Sequence, residues 1–398
     1  MNKQWYKESV FYHIYPLGFT GAPESNNFAQ EPVSRLNKVE EWIPHIKSLG
    51  VNAIYLGPLF ESSTHGYDTV DYYKVDRRLG TNDTLKKLIQ KLHENQIKVV
   101  LDGVFNHVSR DFFAFKDLLE KKKESKYINW FSGVDFNYSS PMGDDFTYNS
   151  WSGHYNLVQL NLKNSEVVDY LFGAIKMWAD DLGIDGLRLD VALFSSHNDN
   201  NYYEIAHSLK RLFNSDSGIY RDMKLYNFVD NHDVNRIGST LTDSRHLYPL
   251  HILLYTIPGI PSIYYGSEWG IGGVKDNSDK AIRPDLEITH MGNSSNNDLV
   301  KTIKQLSNLW LNSDSLKHGS YREILVDSQQ LLFLREYNGE KVLVAVNSNH
   351  DPVNISIDSS YIGGKFVDIL NEDVECFSQN DKLNIEIPGC WGRVLKVV

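Results

Sequence analysis

The sequence of 398 residues lacks most features that mark secreted or membrane proteins. It contains only two cysteines, Cys376 and Cys390, whose spacing indicates neither a disulfide framework nor a metal site. No window approaches the roughly 18 consecutive apolar residues of a membrane span. The amino terminus also lacks the apolar stretch of a signal peptide. We therefore expect a cytoplasmic protein with no membrane contact.

The chain also lacks an excess of positive charge, because 51 Asp and Glu outnumber 40 Lys and Arg and the formal net charge is -11 at pH 7. Nucleic-acid-binding proteins usually carry a basic stripe, so no nucleic-acid partner is expected. The sequence shows no Gly-x-Ser-x-Gly nucleophile elbow and no phosphate-binding glycine loop. These absences leave a soluble globular enzyme or binding protein as the expected class.

Short apolar runs alternate with helical patterns from residue 9 to about 190, which is typical of βαβ units and a parallel sheet. Strand-like runs cover residues 10–15, 53–56, 99–104 and 187–190, and two more begin at 228 and 262. A closed (β/α)8 barrel needs eight strands, and these runs give six. Either two strands lie in weakly patterned sequence or two units are absent.

Two segments depart from this alternation. Residues 108–160 are rich in Asn, Ser, Gly and aromatic residues, and a loop of that length is usually functional or a small subdomain. From about residue 313 the helical period gives way to strand runs separated by Gly and Asn turns. The sequence therefore predicts an α/β domain over residues 1–312, with an insertion at 108–160, and an all-β domain over 313–398.

Polar side chains follow the predicted strands, where a parallel barrel has its active-site mouth. They are Tyr67 and Asp68 with the preceding His65; Asp102, Asn106 and His107; Arg188 and Asp190; Asn231, His232, Asp233 and Arg236; and Glu268. Each has an ordinary alternative, since an Asp can cap a turn and an Asn-His-Asp run can cap a helix. Their joint occurrence at successive strand ends favours an active site. Paired carboxylates supported by His and Arg are what glycosyl transfer requires.

Four of these segments resemble the α-amylase family, glycoside hydrolase family 13, and are most similar to its maltodextrin- and cyclomaltodextrin-acting branches. They are Gly66-Tyr67-Asp68, the run from Asp102 to His107, the run from Gly186 to Asp190, and the run from Phe228 to Asp233. The resemblance implies a TIM-barrel catalytic domain, an inserted B domain at 108–160 and a C-terminal β-sandwich domain at 313–398. It also implies a retaining glycoside hydrolase whose partner is an α-1,4-glucan or maltooligosaccharide.

The resemblance also implies individual roles. Asp190 would be the nucleophile, with Arg188 keeping it ionised, and Asp233 would bind sugar hydroxyls and stabilise the transition state. Substrate-binding roles fall to Tyr67, His107, His232 and Arg236, and Asp102 would be a structural member of the site. No cofactor is required, although Asn106 matches a position that binds calcium in many relatives.

One part of the family pattern is missing. The family's general acid/base is a Glu at the end of the fifth barrel strand, between the positions of Asp190 and Asp233. Glu204 is the only glutamate between them, and it lies in a helical pattern; Glu268 belongs to a later loop. The sequence after Ala192 indicates an internal deletion of about two βα units, so the resemblance predicts a shortened barrel.

Three hypotheses follow from this gap. The protein is a retaining α-glucan hydrolase with an unrecognised proton donor, a catalytically impaired maltodextrin-binding homologue, or an internally deleted product that folds poorly. Fold analogy alone cannot separate them. The oligomeric state is left open by the sequence.

Overall fold

A computed structural model describes residues 4–189, 201–221, 223–276, 278–292 and 297–398. Asp190 and the predicted deletion after Ala192 lie outside these ranges. No helix within them is both long and apolar enough to cross a membrane.

The chain alternates helices and strands up to residue 318 and continues with strands. The α-helices are α1 Pro16–Phe19, α2 Asn37–Ser48, α3 Asn82–Glu94, α4 Phe113–Lys121, α5 Ser165–Met177, α6 Tyr202–Phe213, α7 Ile237–Thr240, α8 Leu247–Thr256, α9 Ile288–Met291, α10 Asn297–Asn312 and α11 Asp314–His318. The β-strands are β1 Phe11–Ile14, β2 Ala53–Leu56, β3 Phe60–Ser62, β4 Thr69–Val75, β5 Lys98–Gly103, β6 His107–Ser109, β7 Ser150–Trp151, β8 His154–Gln159, β9 Gly186–Leu189, β10 Tyr226–Asn227, β11 Ile260–Tyr264, β12 Ser320–Val326, β13 Gln330–Tyr337, β14 Glu340–Asn347, β15 Val353–Asp358, β16 Lys365–Asp368, β17 Val374–Phe377, β18 Lys382–Ile387 and β19 Trp391–Val397.

Six parallel strands form the central sheet, in the order β10-β11-β1-β2-β5-β9. Strands β1, β2 and β11 are buried along their whole length, as expected for parallel strands covered on both faces. The register of β5 and β9 sets Asp102 beside Arg188. Because all six strands run the same way, their carboxyl ends meet at one edge of the sheet.

The sheet is open among the described residues, with β9 and β10 as its two edges. Leu189, at the end of β9, is 66% exposed, which is unusual for an apolar strand residue. The six-stranded sheet confirms a shortened parallel α/β barrel-type fold. The predicted position of one strand was wrong, because β10 ends at Asn227 and Phe228 already follows it.

The segment predicted as an insertion contains a small antiparallel sheet of order β6-β8-β7 and the helix α4. His107, directly before this segment, pairs with Gln159 near its end, across β6 and β8. This pairing brings both ends of the segment together at the carboxyl end of β5. The boundaries 108–160 stay a prediction.

The C-terminal part is all β, as predicted, with a six-stranded sheet β12-β13-β14-β19-β16-β17 and a pair β15-β18. Arg335 of β13 is fully buried and donates hydrogen bonds to the carbonyls of Thr256, Leu316, Gly319 and Ser320. Thr256 ends α8, so this guanidinium joins the C-terminal strands to the α/β part. The boundary at residue 313 stays a prediction.

Candidate active site

Asp102 is the centre of a hydrogen-bond network at the carboxyl end of the sheet. Its side chain is fully buried and accepts hydrogen bonds from the hydroxyls of Tyr55, at 2.6 Å, and Tyr67, at 3.0 Å. Arg188 donates from Nη1 to Oδ1 at 3.1 Å and to Oδ2 at 3.3 Å. A buried carboxylate is stable only when charge and hydrogen bonds compensate it, and these three donors do so.

Arg188 links this network to the predicted nucleophile position. Its guanidinium is partly exposed and lies over the Tyr55 ring, 5.8 Å from the ring centroid. Asp190, two residues later, lies outside the described residues. The pairing of Arg188 with Asp190 therefore stays a prediction.

Tyr67 and His232 come together although 165 positions separate them in the chain. Their rings stack with centroids 5.3 Å apart at 11°, and the Tyr67 hydroxyl hydrogen-bonds to His232 Nε2. Burial, with the nearby charge of Asp102, raises the pKa of Tyr67 well above its usual value, so its hydroxyl stays protonated. Gly66 adopts a φ of +89°, and a Cβ there would lie 2.7 Å from Pro58, so the turn that presents Tyr67 needs glycine.

Asp233 is held as a carboxylate. His232 Nε2 lies 3.1 Å from Asp233 Oδ2, and Arg283 Nη2 lies 3.4 Å from Oδ1. Burial alone would raise the pKa of Asp233, but the hydrogen bond from His232 and the charges of His232, Arg283 and Lys275 lower it to about 2. An ionised carboxylate at this position can accept hydrogen bonds from sugar hydroxyls and favour positive charge nearby.

Arg283 is a site residue that the sequence did not reveal. It donates from Nε to the carbonyl of His232 at 2.8 Å, pairs with Asp279 at 2.9 Å and lies over the Tyr15 ring, 4.5 Å from the ring centroid. Tyr15, Asp279 and Arg283 line a cleft of about 760 Å³, and among these residues Arg283 contacts Asp233. The spacing of Asp279 and Arg283, four residues apart in a polar loop, was the only sequence signal available.

We expect Arg283→Gln to raise the pKa of Asp233 above its wild-type value of about 2, because one of the charges that lower it is removed. Because the pKa of Asp233 is lowered in the folded protein, its carboxylate stabilises the folded state at pH values above 3.8, the ordinary pKa of this group. This stabilisation is lost as the pH falls towards 2. The wild-type protein should therefore lose more unfolding free energy than the variant between about pH 5 and about pH 2.5. The pKa is measured by NMR titration with carboxyl-labelled aspartate, using Asp233→Asn to assign the signal.

Lys280→Gln is the matched control for this measurement. It removes the same charge, but Lys280 is exposed and pairs with Glu24 at 2.6 Å rather than with Asp233. The pKa of Asp233 should stay near 2 in this control. An unchanged pKa in Arg283→Gln would contradict the role given to that guanidinium.

His107 and Asn106 lie at the start of the inserted segment. The buried His107 ring stacks on Trp151 with centroids 5.5 Å apart, and the Asn106 amide lies 3.3 Å from His107 Nδ1. Calcium in proteins takes six to eight oxygen ligands. Within the described ranges, no group of three Asp, Glu, His or Cys side chains converges on Asn106. Asn side chains and backbone carbonyls also bind calcium, so calcium binding at Asn106 stays a prediction.

Arg236 lies beneath the site rather than in its cleft. Its side chain is fully buried, donates to the carbonyls of Tyr265 and Ile282, and stacks on Tyr264 at 4.0 Å. The predicted contact of Arg236 with substrate stays a prediction. The guanidinium instead organises the chain after β11, from which Arg283 reaches Asp233.

Neither glutamate considered from the sequence belongs to the hydrogen-bond network of Asp102, Tyr67, His232 and Asp233. Glu204 is exposed in the first turn of α6, where the neighbouring Tyr203 hydrogen-bonds to Asp327 of the C-terminal part. Glu268 is fully buried and accepts a hydrogen bond from Tyr12 at 2.7 Å, with His45 Nε2 at 2.9 Å. Both locations agree with the prediction that these residues are poor substitutes for the missing acid.

The chain matches two family models. Residues 13–207 and 195–314 match the alpha-amylase catalytic domain, in two segments that overlap near the predicted deletion. Residues 321–389 match the C-terminal domain of maltogenic amylase.

Curated relatives match most of the chain. Cyclomaltodextrinase from Thermoanaerobacter pseudethanolicus is 28% identical and covers 87% of this chain, with 71% of its own length aligned. Neopullulanase 2 from Thermoactinomyces vulgaris is 28% identical and covers 98% of this chain, with 78% of its own length aligned. This second alignment extends over 467 positions, more than the 398 residues of the chain, so the relative contains residues that this protein lacks.

Solved structures also match nearly the whole chain. The debranching enzyme of Nostoc punctiforme superposes with a TM-score of 0.76 at 26% identity, covering 98% of each chain. A cyclomaltodextrinase superposes with a TM-score of 0.80, covering 98% of this chain and 78% of that one; at 24% identity it shows the fold alone. Since the catalytic-domain model matches more than half of the residues, the chain belongs to the alpha-amylase catalytic-domain family.

Proposed function

We propose that this protein is a retaining α-glycosidase that acts on α-1,4-glucans or maltodextrins. The observation that carries the proposal is the continuous network from Arg188 through Asp102, Tyr67 and His232 to Asp233. This network joins the ends of strands β5 and β9 to the segment after β10. It orders an ionised carboxylate and an aromatic ring, the groups that recognition of a sugar requires, and Arg283 connects this carboxylate to the neighbouring cleft.

The proposed reaction uses Asp190 as the nucleophile. Its carboxylate attacks the anomeric carbon, the glycosidic oxygen leaves with the bonding electrons, and a covalent glycosyl-enzyme forms. Water then displaces Asp190 and restores the original anomeric configuration. During both steps the ionised Asp233 accepts hydrogen bonds from sugar hydroxyls, and Tyr67 offers its ring face to the sugar.

The names of the relatives support this substrate class. They include cyclomaltodextrinases, a neopullulanase and a maltogenic alpha-amylase. Since these relatives share the catalytic-domain family, we propose α-linked glucose oligomers as the substrates here. One relative is an intracellular maltogenic amylase, and we propose a cytoplasmic location for this chain as well.

The step that needs help is departure of the leaving group. No described glutamate lies in the network, because Glu204 is exposed on a helix and Glu268 is buried beside Tyr12. General-acid assistance is typically worth about 10²–10⁴-fold. We therefore propose slow cleavage of ordinary glucans and efficient reaction only when the leaving group needs no proton. The same observation favours, as a second candidate, a maltodextrin-binding protein.

The test compares two substrates at equal concentration. α-Maltosyl fluoride carries a leaving group that needs little protonation, whereas maltotetraose needs a protonated oxygen. We expect fluoride release that azide accelerates, with cleavage of maltotetraose about 10²–10⁴-fold slower. Azide accelerates the reaction because it attacks the glycosyl-enzyme without needing a general base.

Other outcomes decide against parts of the proposal. Rapid cleavage of maltotetraose would show that a proton donor exists. Binding of maltotetraose without turnover of either compound would favour the binding protein. A broad, non-cooperative melt would favour a poorly folded product. We also propose that no cofactor takes part, so EDTA should leave fluoride release unchanged.

A further inference from the structure

A second cluster of reactive side chains contains none of the residues of the active-site network. His246, His350 and Cys390 each offer one ligand atom, and these atoms all lie within 4.8 Å of one another. His246 precedes α8, His350 follows β14, and Cys390 precedes β19. Three separated segments thus converge, which explains why cysteine spacing in the sequence gave no sign of a site.

We propose that His246, His350 and Cys390 bind a divalent transition-metal ion of the Zn²⁺ class. Imidazole nitrogen and thiolate sulfur are the donors that Zn²⁺ prefers. In a tetrahedral site these atoms lie roughly 3.3–3.8 Å apart, so the cluster needs to contract by about 1 Å. His350 is exposed and can supply this movement by rotating its side chain.

The hydrogen bonds of both histidines fix the tautomer that such a site needs. His246 Nε2 lies 2.9 Å from the carbonyl oxygen of Ser348, which can only accept, so Nε2 carries the proton. His350 Nε2 lies 3.3 Å from Asp243 Oδ2, which also accepts. Metal-binding histidines commonly donate their second N–H to a carbonyl or carboxylate in this way. Nδ1 of each ring therefore holds the lone pair, so an ion bound at Nδ1 requires no change of tautomer.

The guanidinium of Arg245 contacts this cluster. Arg245 donates from Nη2 to His350 Nδ1 at 2.6 Å and to Asp243 Oδ2 at 2.7 Å. Its Nε also contacts Asp243, at 3.1 Å, and more than half of its side chain is exposed. The guanidinium can therefore release His350 to a metal ion while it stays paired with Asp243.

Cys390 is held in an unusual backbone conformation. Its φ is +50°, which is uncommon for a residue other than glycine, and its amide donates to the carbonyl of Asn349 at 2.8 Å. The preceding Gly389 packs so closely that a Cβ would lie 1.9 Å from the carbonyl oxygen of His350. This turn fixes the thiol beside the imidazoles. Burial raises the pKa of the Cys390 thiol, so metal binding would displace its proton to form the thiolate.

A bound ion would connect the two parts of the chain. His246 belongs to the α/β part, whereas His350 and Cys390 belong to the C-terminal strands. An ion that binds only the folded protein raises its stability in proportion to the logarithm of ion concentration. Zn²⁺ should therefore raise the melting temperature without being required for glycosyl transfer.

The test titrates the full chain with Co²⁺ and Zn²⁺ at neutral pH. We expect one equivalent of Zn²⁺ with a Kd of about 1 µM or tighter, and a thiolate-to-Co²⁺ charge-transfer band in the near ultraviolet. Cys390→Ser should abolish the band and weaken Zn²⁺ binding about 30-fold or more, and the exposed His350→Gln should weaken it about 10-fold. Arg245→Gln should tighten binding, because it removes the competing guanidinium.

Controls are needed because the chain contains 14 histidines. Cys376→Ser changes the other free cysteine, and His290→Gln changes an exposed histidine outside the cluster; both should bind Zn²⁺ like the wild type. The proposal is overturned if Zn²⁺ binds more weakly than about 100 µM. It is also overturned if Cys390→Ser and His350→Gln, shown to be folded by circular dichroism, bind Zn²⁺ as tightly as the wild type.

Discussion

Asp190→Asn should reduce the release of fluoride from α-maltosyl fluoride by about 10⁴-fold or more, because the variant has no anionic nucleophile. Fluoride departs without a proton, so its release reports on attack at the anomeric carbon and not on the missing acid. The Asp102 network should be little affected, because its donors Tyr55, Tyr67 and Arg188 are unchanged. The measurement is initial fluoride release with a selective electrode, with and without azide.

Asp181→Asn is the control for this loss. Asp181 is an exposed aspartate in the π-helical turn that ends near Leu182, so its substitution should leave the rate within twofold of wild type. A rate in Asp190→Asn close to wild type would show that another carboxylate attacks. Binding of maltotetraose should persist in Asp190→Asn, because Tyr67, His232 and Asp233 remain.

Asp102→Asn should destabilise the protein by about 1.5–3 kcal/mol, because the buried carboxylate is a charged hydrogen-bond acceptor whose partner Arg188 is only partly buried. Arg188 would lose its carboxylate partner, and the hydroxyls of Tyr55 and Tyr67 would lose a charged acceptor. Fluoride release should fall as well, since Tyr67 and Arg188 are both positioned through this carboxylate. The free energy of unfolding is measured by urea titration.

Asp298→Asn provides the comparison for this loss of stability. Asp298 and Lys301 form an exposed ion pair, and such pairs are usually worth less than about 1 kcal/mol. A similar small loss in Asp102→Asn would contradict the structural role of the buried carboxylate. Loss of fluoride release without loss of stability would instead place Asp102 directly in the chemistry.

The strands that position the site residues were predictable because buried parallel strands appear in the sequence as short apolar runs. Runs such as 53–56 and 99–104 are apolar and short, and polar residues follow them at the turn. The register of β5 and β9 then brings Asp102 beside Arg188. The position of strand β10 was predicted wrongly, because this strand is only two residues long and ends before the apolar Phe228 and Val229.

The contacts between loops were not predictable for a different reason. Arg283 reaches Asp233 across 50 positions, along a loop with no regular period, so its path depends on tertiary packing. Tyr55 lies within an apolar strand, where a tyrosine is expected to be core, yet its hydroxyl binds Asp102. The metal-type cluster of His246, His350 and Cys390 combines three distant segments and escaped prediction for the same reason.

The buried guanidinium of Arg335 makes separate folding of the two parts of this chain unfavourable. Its carbonyl partners include Thr256 on α8 and Ser320 on β12, so they lie on both sides of the predicted domain boundary. Pulling the C-terminal strands away would expose these acceptors, the cation and the apolar surface packed around them. We therefore expect the two parts to unfold together, and removal of the C-terminal strands to destabilise the α/β part.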